Sequence, residues 1–419
     1  MEQSPIAARR HGSRSLFDPS PSSCGEGEEH QRLAAADAGT VPWRKWGPYV
    51  SERQWGTCRE DYGSDGNSWA YLGFQEAHQA AYRWGEDGIA GFCDEEQRLC
   101  LSVAMWNGKD PILKERLFGL SGPQGNHGED VKEMYYYLDA TPTNSYLKML
   151  YKYPQKAFPY DEIRRKSATL GCNDPEYELM DTGIFDDDRY FDVTIEYARG
   201  GIDDILLRVI ATNRGPDNAE LHVAPQAFFR NTWSWAEGAA RPSMELAEGP
   251  RVLVRHGTLG EYHLFAEEGA EVMFCENESN VAALEDEGGA LRPFDLAAAG
   301  DAPEAFAPPA RGEGAATPGA AGACEEAAAA EAAAPAAQER RRLYQASGII
   351  GPGPYKDAFH QRIVLGDEGA VSRRQGTKAG FYTRLNVPAG GSKTVRLRLS
   401  RDKLKEMQWL TSTPRSRLA

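Results

Sequence analysis

The chain has 419 residues, 41% hydrophobic and 26% charged, which fits a soluble globular protein of one large or two ordinary domains with a sizeable core. Its 47 basic and 62 acidic residues give a formal net charge of -15, which argues against a nucleic-acid binder, and no apolar run is long enough to span a bilayer. Seven scattered cysteines without a CxxC pair predict reduced thiols. The first residues carry no apolar stretch after their basic ones, so the expected location is cytoplasmic, with organelle targeting by a Ser- and Arg-rich tail left open.

Residues 1–40 are polar and small and read as a disordered tail. Dense aromatic sequence begins at residue 41, and 41–283 read as the first part of a β-sandwich domain. Residues 75–84 have the best helical pattern and 147–156 a weaker one. Strands are predicted at 99–106, 134–138, 191–197, 205–212, 221–229, 251–256, 262–266 and 271–275. FDVTIEY at 191–197 alternates apolar and polar residues as a half-buried strand requires, and NRGP at 213–216 is a strong turn signal. The acidic triplet 186–188 reads as an exposed turn before that strand. Residues 284–343 are dominated by Ala, Gly, Pro and Glu, with little to bury, and read as a disordered insertion. The last strands of the domain, at 361–365, 380–387 and 393–399, fall within 344–400. Residues 401–419 read as the start of a linker. So many strands with so little helix predict a mainly β fold, a large antiparallel two-sheet β-sandwich with few helices.

The most unusual stretch is WRKWGPYVSERQWGTCREDY at 43–62. It sets Trp46, Tyr49, Trp55 and Tyr62 beside Glu52, Arg53, Gln54, Arg59, Glu60 and Asp61. Aromatic faces suit the C–H faces of sugars, and the polar groups suit their hydroxyls. The same residue types are enriched where two domains pack, so a sugar-site rim and a domain interface are both open. Trp233 and Trp235 form a second aromatic edge with the same two readings. The adjacent Glu86 and Asp87 point apart in a turn and make a poor acid–base pair. His127 with Glu129 and Asp130 matches no zinc or calcium spacing, and no nucleotide loop or nucleophile elbow is present. No metal, cofactor or catalytic residue is expected in this chain.

Several long ordered motifs resemble those of glycoside hydrolases of family 63, the group of the processing α-glucosidases. They are residues 46–62, 82–91 (YRWGEDGIAG), 106–119 (WNGKDPILKERLFG), 125–133 (GNHGEDVKE), 151–154 (YKYP), 181–186 (DTGIFD), 229–235 (FRNTWSW) and 376–379 (GTKA). The Ala-rich insertion departs from the family pattern. The resemblance implies an N-terminal β-sandwich of supersandwich type that packs on a following helical (α/α)6 toroid. The family's inverting acid and base are carboxylates of that toroid, with room for a water between them. None of the matched motifs carries that pair, and 401–419 is far too short for a toroid. Three readings follow in order: a non-catalytic domain from a truncated chain, with the toroid as its structural partner; a standalone carbohydrate-binding module using a Trp/Tyr/Arg surface; and a sandwich that itself catalyses a reaction such as aldose epimerisation.

Overall fold

The computed structural model describes residues 27–49, 74, 77–81, 88–120, 125–126, 130–233, 238–249, 251–280, 283 and 353–402. Among them the strands are β1 (Trp46–Tyr49), β2 (Ile89–Asp94), β3 (Leu99–Trp106), β4 (Gly119–Leu120), β5 (Asp130–Val131), β6 (Tyr135–Ala140), β7 (Tyr146–Pro154), β8 (Tyr190–Gly201) and β9 (Asp204–Asn213). They continue as β10 (Ala219–Phe229), β11 (Ser243–Leu246), β12 (Arg251–His256), β13 (Gly260–Ala266), β14 (Glu271–Cys275), β15 (Gln375–Gly376), β16 (Lys378–Val387) and β17 (Ser392–Ser400). The α-helices of the described residues are α1 (Glu28–Asp37), α2 (Tyr160–Ser167) and α3 (Ala358–Ile363).

The strands form two large antiparallel sheets, one in the order β1-β2-β3-β10-β16-β14, the other β15-β11-β12-β13-β17-β9-β8-β7-β6. Alternation explains how they face each other. On the nine-stranded sheet, register places Leu147, Tyr197, Leu207 and Leu397 in one buried row, and Met149, Ile195, Val209 and Val395 in the next. One position along, Glu196 pairs with Arg208 and Lys148 on the opposite face. From the six-stranded sheet, Leu101, Val103, Leu221, Val223, Phe229 and Phe381 enter the same core. The fold is therefore mainly β, a two-sheet sandwich with few helices, as its period-two sequence predicts.

The six-stranded sheet is buried on its other face as well. Ala104, Ala224, Met273 and Cys275 point away from the sandwich core and are covered by α3 and by Leu113. Phe359 of α3 lies so close to β16 that a Cβ on Gly380 would sit 2.6 Å from its ring. A smaller cluster around α2 gathers Ile112, Phe118, Phe158, Tyr160, Ile163 and Leu179 beside this face.

Several elements differ from the sequence reading. Residues 147–156 fall largely on a strand: Leu147, Met149, Tyr151 and Tyr153 alternate inward along β7, and its lysines alternate outward. The predicted strand at 361–365 overlaps helix α3, whose buried Phe359, His360 and Ile363 cover the sheet's outer face. Within the supposed tail 1–40, residues 28–37 form α1. The Glu29 carboxylate there accepts hydrogen bonds from the Thr143 amide and hydroxyl and from the Ser145 hydroxyl. Residues 89–94, where the sequence predicts no strand, form β2. The segment 186–188 is an exposed turn before β8, as expected, with Asp187 and Asp188 at positive φ. Of the predicted helix 75–84, the described residues 77–79 form a turn. The insertion 284–343 lies outside the described residues.

Candidate functional site

The outer face of the six-stranded sheet carries polar side chains where alternation alone would place apolar ones. Register puts Ser102 of β3 beside Gln226 of β10, and Phe228 of β10 beside Lys378 of β16. Over this row runs the segment between β3 and β4, whose Lys114-Glu115-Arg116 triplet is buried. Glu115 is clamped by two ammonium groups, Lys356 Nζ at 2.8 Å and Lys378 Nζ at 3.1 Å. Burial alone would raise the Glu115 pKa, but the two lysines outweigh it and hold the carboxyl at about 2. Lys356 also donates to the Ala77 carbonyl, and Lys378 lies over the Phe359 ring. Glu115, Gln226, Phe228, Asn277, Lys356, Lys378 and Gly88 line a small, partly enclosed recess of about 10 Å³, room for about one water.

A second ionic centre adjoins it. Lys114 Nζ lies 2.6 Å from Glu133, both side chains being 1% exposed, and rests over the Phe118 and Phe158 rings. Glu133 also accepts the Tyr151 hydroxyl at 2.7 Å. Burial raises its pKa, against the pull of Lys114 and Tyr151. Asp110 accepts the Tyr153 hydroxyl and the Phe158 amide, and Asn107 donates to the carbonyls of Pro154 and Lys156. On the other side of Lys378, Thr377 donates to Glu276, and Arg241 bridges Glu276 at 2.7 Å and Glu278 at 2.8 Å. Glu278 accepts the Trp233 indole N–H, with the Arg241 guanidinium over that ring.

A separate cluster sits further along the same face. His222 contacts the Tyr382 hydroxyl at 2.6 Å and Glu220 at 2.8 Å. Burial lowers the His222 pKa, so the ring is neutral at pH 7. Arg384 holds Glu220, so the trio is tied into surface ion pairs.

The structure separates the aromatic residues singled out from sequence. Trp46 is fully buried: it stacks on Phe92, meets Tyr262 edge-on and donates its indole N–H to Asp203. It is a core residue and not part of a sugar-site rim or an interface, because its inward register on β1 leaves no exposed ring face. Tyr49 is half-buried against Tyr137 and Tyr197. Trp233 belongs to the polar network at Glu278. Glu52, Arg53, Gln54, Trp55, Arg59, Glu60, Asp61, Tyr62 and Trp235 lie outside the described residues, as do Glu86, Asp87, His127 and Glu129.

Glu115, Gln226, Lys356 and Lys378 were not singled out from sequence. The available signal was the charged triplet 114–116 set between Ile112-Leu113 and Leu117-Phe118. Three charges inside an apolar run imply burial with partners. Among the described residues no group of three His, Cys, Asp or Glu side chains is arranged to hold a metal ion. No helix among them is long and apolar enough to cross a membrane.

The chain is 50% identical over 217 residues to an uncharacterized protein of Saccharomyces cerevisiae, YMR196W. The match covers 49% of this chain and 20% of the relative, so the chain spans only a small part of that protein's length. No family model matches the chain.

Proposed function

We propose that this chain is the non-catalytic β-sandwich of a longer glycoside hydrolase of the family 63, α-glucosidase-like type. Its expected structural partner is a helical toroid that supplies the catalytic carboxylates. The observation that carries this reading is convergence. The motif stretches behind the family resemblance are far apart in sequence, yet residues from several of them meet in neighbouring buried ionic centres beside the six-stranded sheet. Lys114 of the 106–119 stretch meets Glu133 and, through it, Tyr151, while Glu115 of the same stretch meets Lys378 and lies beside Gly88; these four partners come from four other stretches. Trp233 enters through Glu278, Arg241 and Glu276.

Stability alone does not favour such an arrangement, since burying ion pairs costs desolvation that apolar packing would avoid. Buried, paired charges hold the segments that meet here in one arrangement, which suits a domain whose surrounding surface must keep a fixed shape against a partner. The yeast relative is consistent with a longer polypeptide, since the matched region is 20% of its length. The coding sequence downstream of residue 419 provides the test. The proposal expects a helical repeat with a pair of inward carboxylates there; a downstream sequence with neither contradicts it.

A further inference from the structure

Strand register brings two cysteines side by side. β2 and β3 form a hairpin in which Cys93 and Cys100 are direct cross-strand partners, next to the pair of Phe92 and Leu101. Phe92, Leu99 and Leu101 point into the sandwich core, so both thiols leave the opposite face. There they form a small buried cluster with Phe228, the partner of Cys100 on β10. The hairpin turn fixes this pairing: the Asp94 carboxylate accepts the Arg98 amide at 2.7 Å and the Leu99 amide at 2.8 Å. Both cysteines are free thiols.

Opposed residues of an antiparallel pair have Cα atoms about 4.5–5.5 Å apart. A disulfide needs about 4.4–6.8 Å and Cβ vectors that do not diverge, and two side chains on the same face of one cross-strand pair meet both conditions. The other described cysteines are not placed this way: Cys275 opposes Lys378 on β16, and Cys172 is exposed. We propose that Cys93 and Cys100 are a redox pair, oxidised by hydrogen peroxide to an intramolecular disulfide that ties β2 to β3. One thiol attacks a peroxide oxygen, the O–O bond breaks, and a sulfenic acid and a water result. The second sulfur then displaces the sulfenic hydroxyl, which leaves with the second thiol's proton as another water. Two thiols and one peroxide thus give one disulfide and two waters. Burial of both sulfurs selects a small oxidant. The pair is the last before the hairpin's turn, which is exposed at Glu95 and Glu96, so opening of the strand ends admits it.

The test treats the folded, reduced 419-residue chain with hydrogen peroxide, then unfolds it, alkylates the remaining thiols and digests with trypsin. Cleavage after Arg83, Arg98 and Lys109 places each cysteine alone on its own peptide, 84–98 and 99–109. The expected result is loss of most of both alkylated peptides and their recovery as one linked species that dithiothreitol separates. Oxidation of the exposed Cys172 reports that the peroxide has acted. Recovery of both peptides unlinked from such a sample overturns the proposal and leaves the two cysteines as packing residues against Phe228. Linkage of either peptide to a different cysteine overturns it too, as does a linkage that forms only when peroxide is added after unfolding.

Discussion

Glu115 shows what a single residue contributes to this face. Its carboxylate is almost without solvent contact and shares two ammonium groups. The folded-state pKa, about 2, lies below the ordinary value of 4.5, so the clamp contributes stability that is fully present above the unfolded-state value. That contribution is lost as pH falls from about 5 towards 2, on the order of 3 kcal/mol. Urea unfolding as a function of pH should therefore show an acid limb in this range. Glu115→Gln should be less stable at pH 7 by about 3–5 kcal/mol, since two buried lysines lose their counter-charge, and its acid limb should be shallower. An unchanged acid limb in a folded Glu115→Gln variant would show that other carboxylates carry the effect. Trp46 gives the opposite lesson. In the sequence it stood beside polar residues and looked accessible, but its neighbours in space are Phe92 and Tyr262, which come from 46 and 216 positions away. No local pattern reveals that.

At the scale of elements, legibility followed periodicity. Strands β8, β9 and β17 are readable because one face is packed in the core and the other is more exposed, so apolar residues recur every second position. Residues 147–156 were misread because Tyr and Lys alternate there, and aromatic polar residues blur the contrast between faces. The stretch around α3 was misread because a short helix that covers a sheet is apolar over few residues, and periodicity cannot separate it from a strand. The alternation has a measurable consequence on β9. Leu207→Ala, on the buried face, should cost about 2–5 kcal/mol, whereas Arg208→Ala, one position on, loses only a partly exposed ion pair and should cost about 1 kcal/mol or less in urea unfolding. Equal costs would show that the register is wrong. For α1, Glu29→Ala removes the bonds from Thr143 and Ser145, and amide exchange over 28–37 should quicken while the sheets stay protected.

At the scale of the whole molecule, both sheets depend on residues distant in sequence. β16 lies between β10 and β14, and β17 lies between β9 and β13, although both follow the Ala-rich segment. A fragment ending at residue 283 lacks these interior strands and is expected to show no near-ultraviolet circular dichroism signal of a packed core; a folded fragment would mean that the sheets close without them. The same interleaving brings the family-like stretches together. From sequence they were an ordered list of motifs, and their meeting on one buried polar face depends on pairings such as Glu115 with Lys378, 263 positions apart. We propose that this sandwich is the non-catalytic part of a longer α-glucosidase-like hydrolase. It is tested most directly by assaying glucose release from maltose by the purified chain, alone and extended through its downstream coding sequence. No release by the chain alone and turnover by the extended polypeptide are expected. Glucose release by the 419-residue chain itself would contradict it.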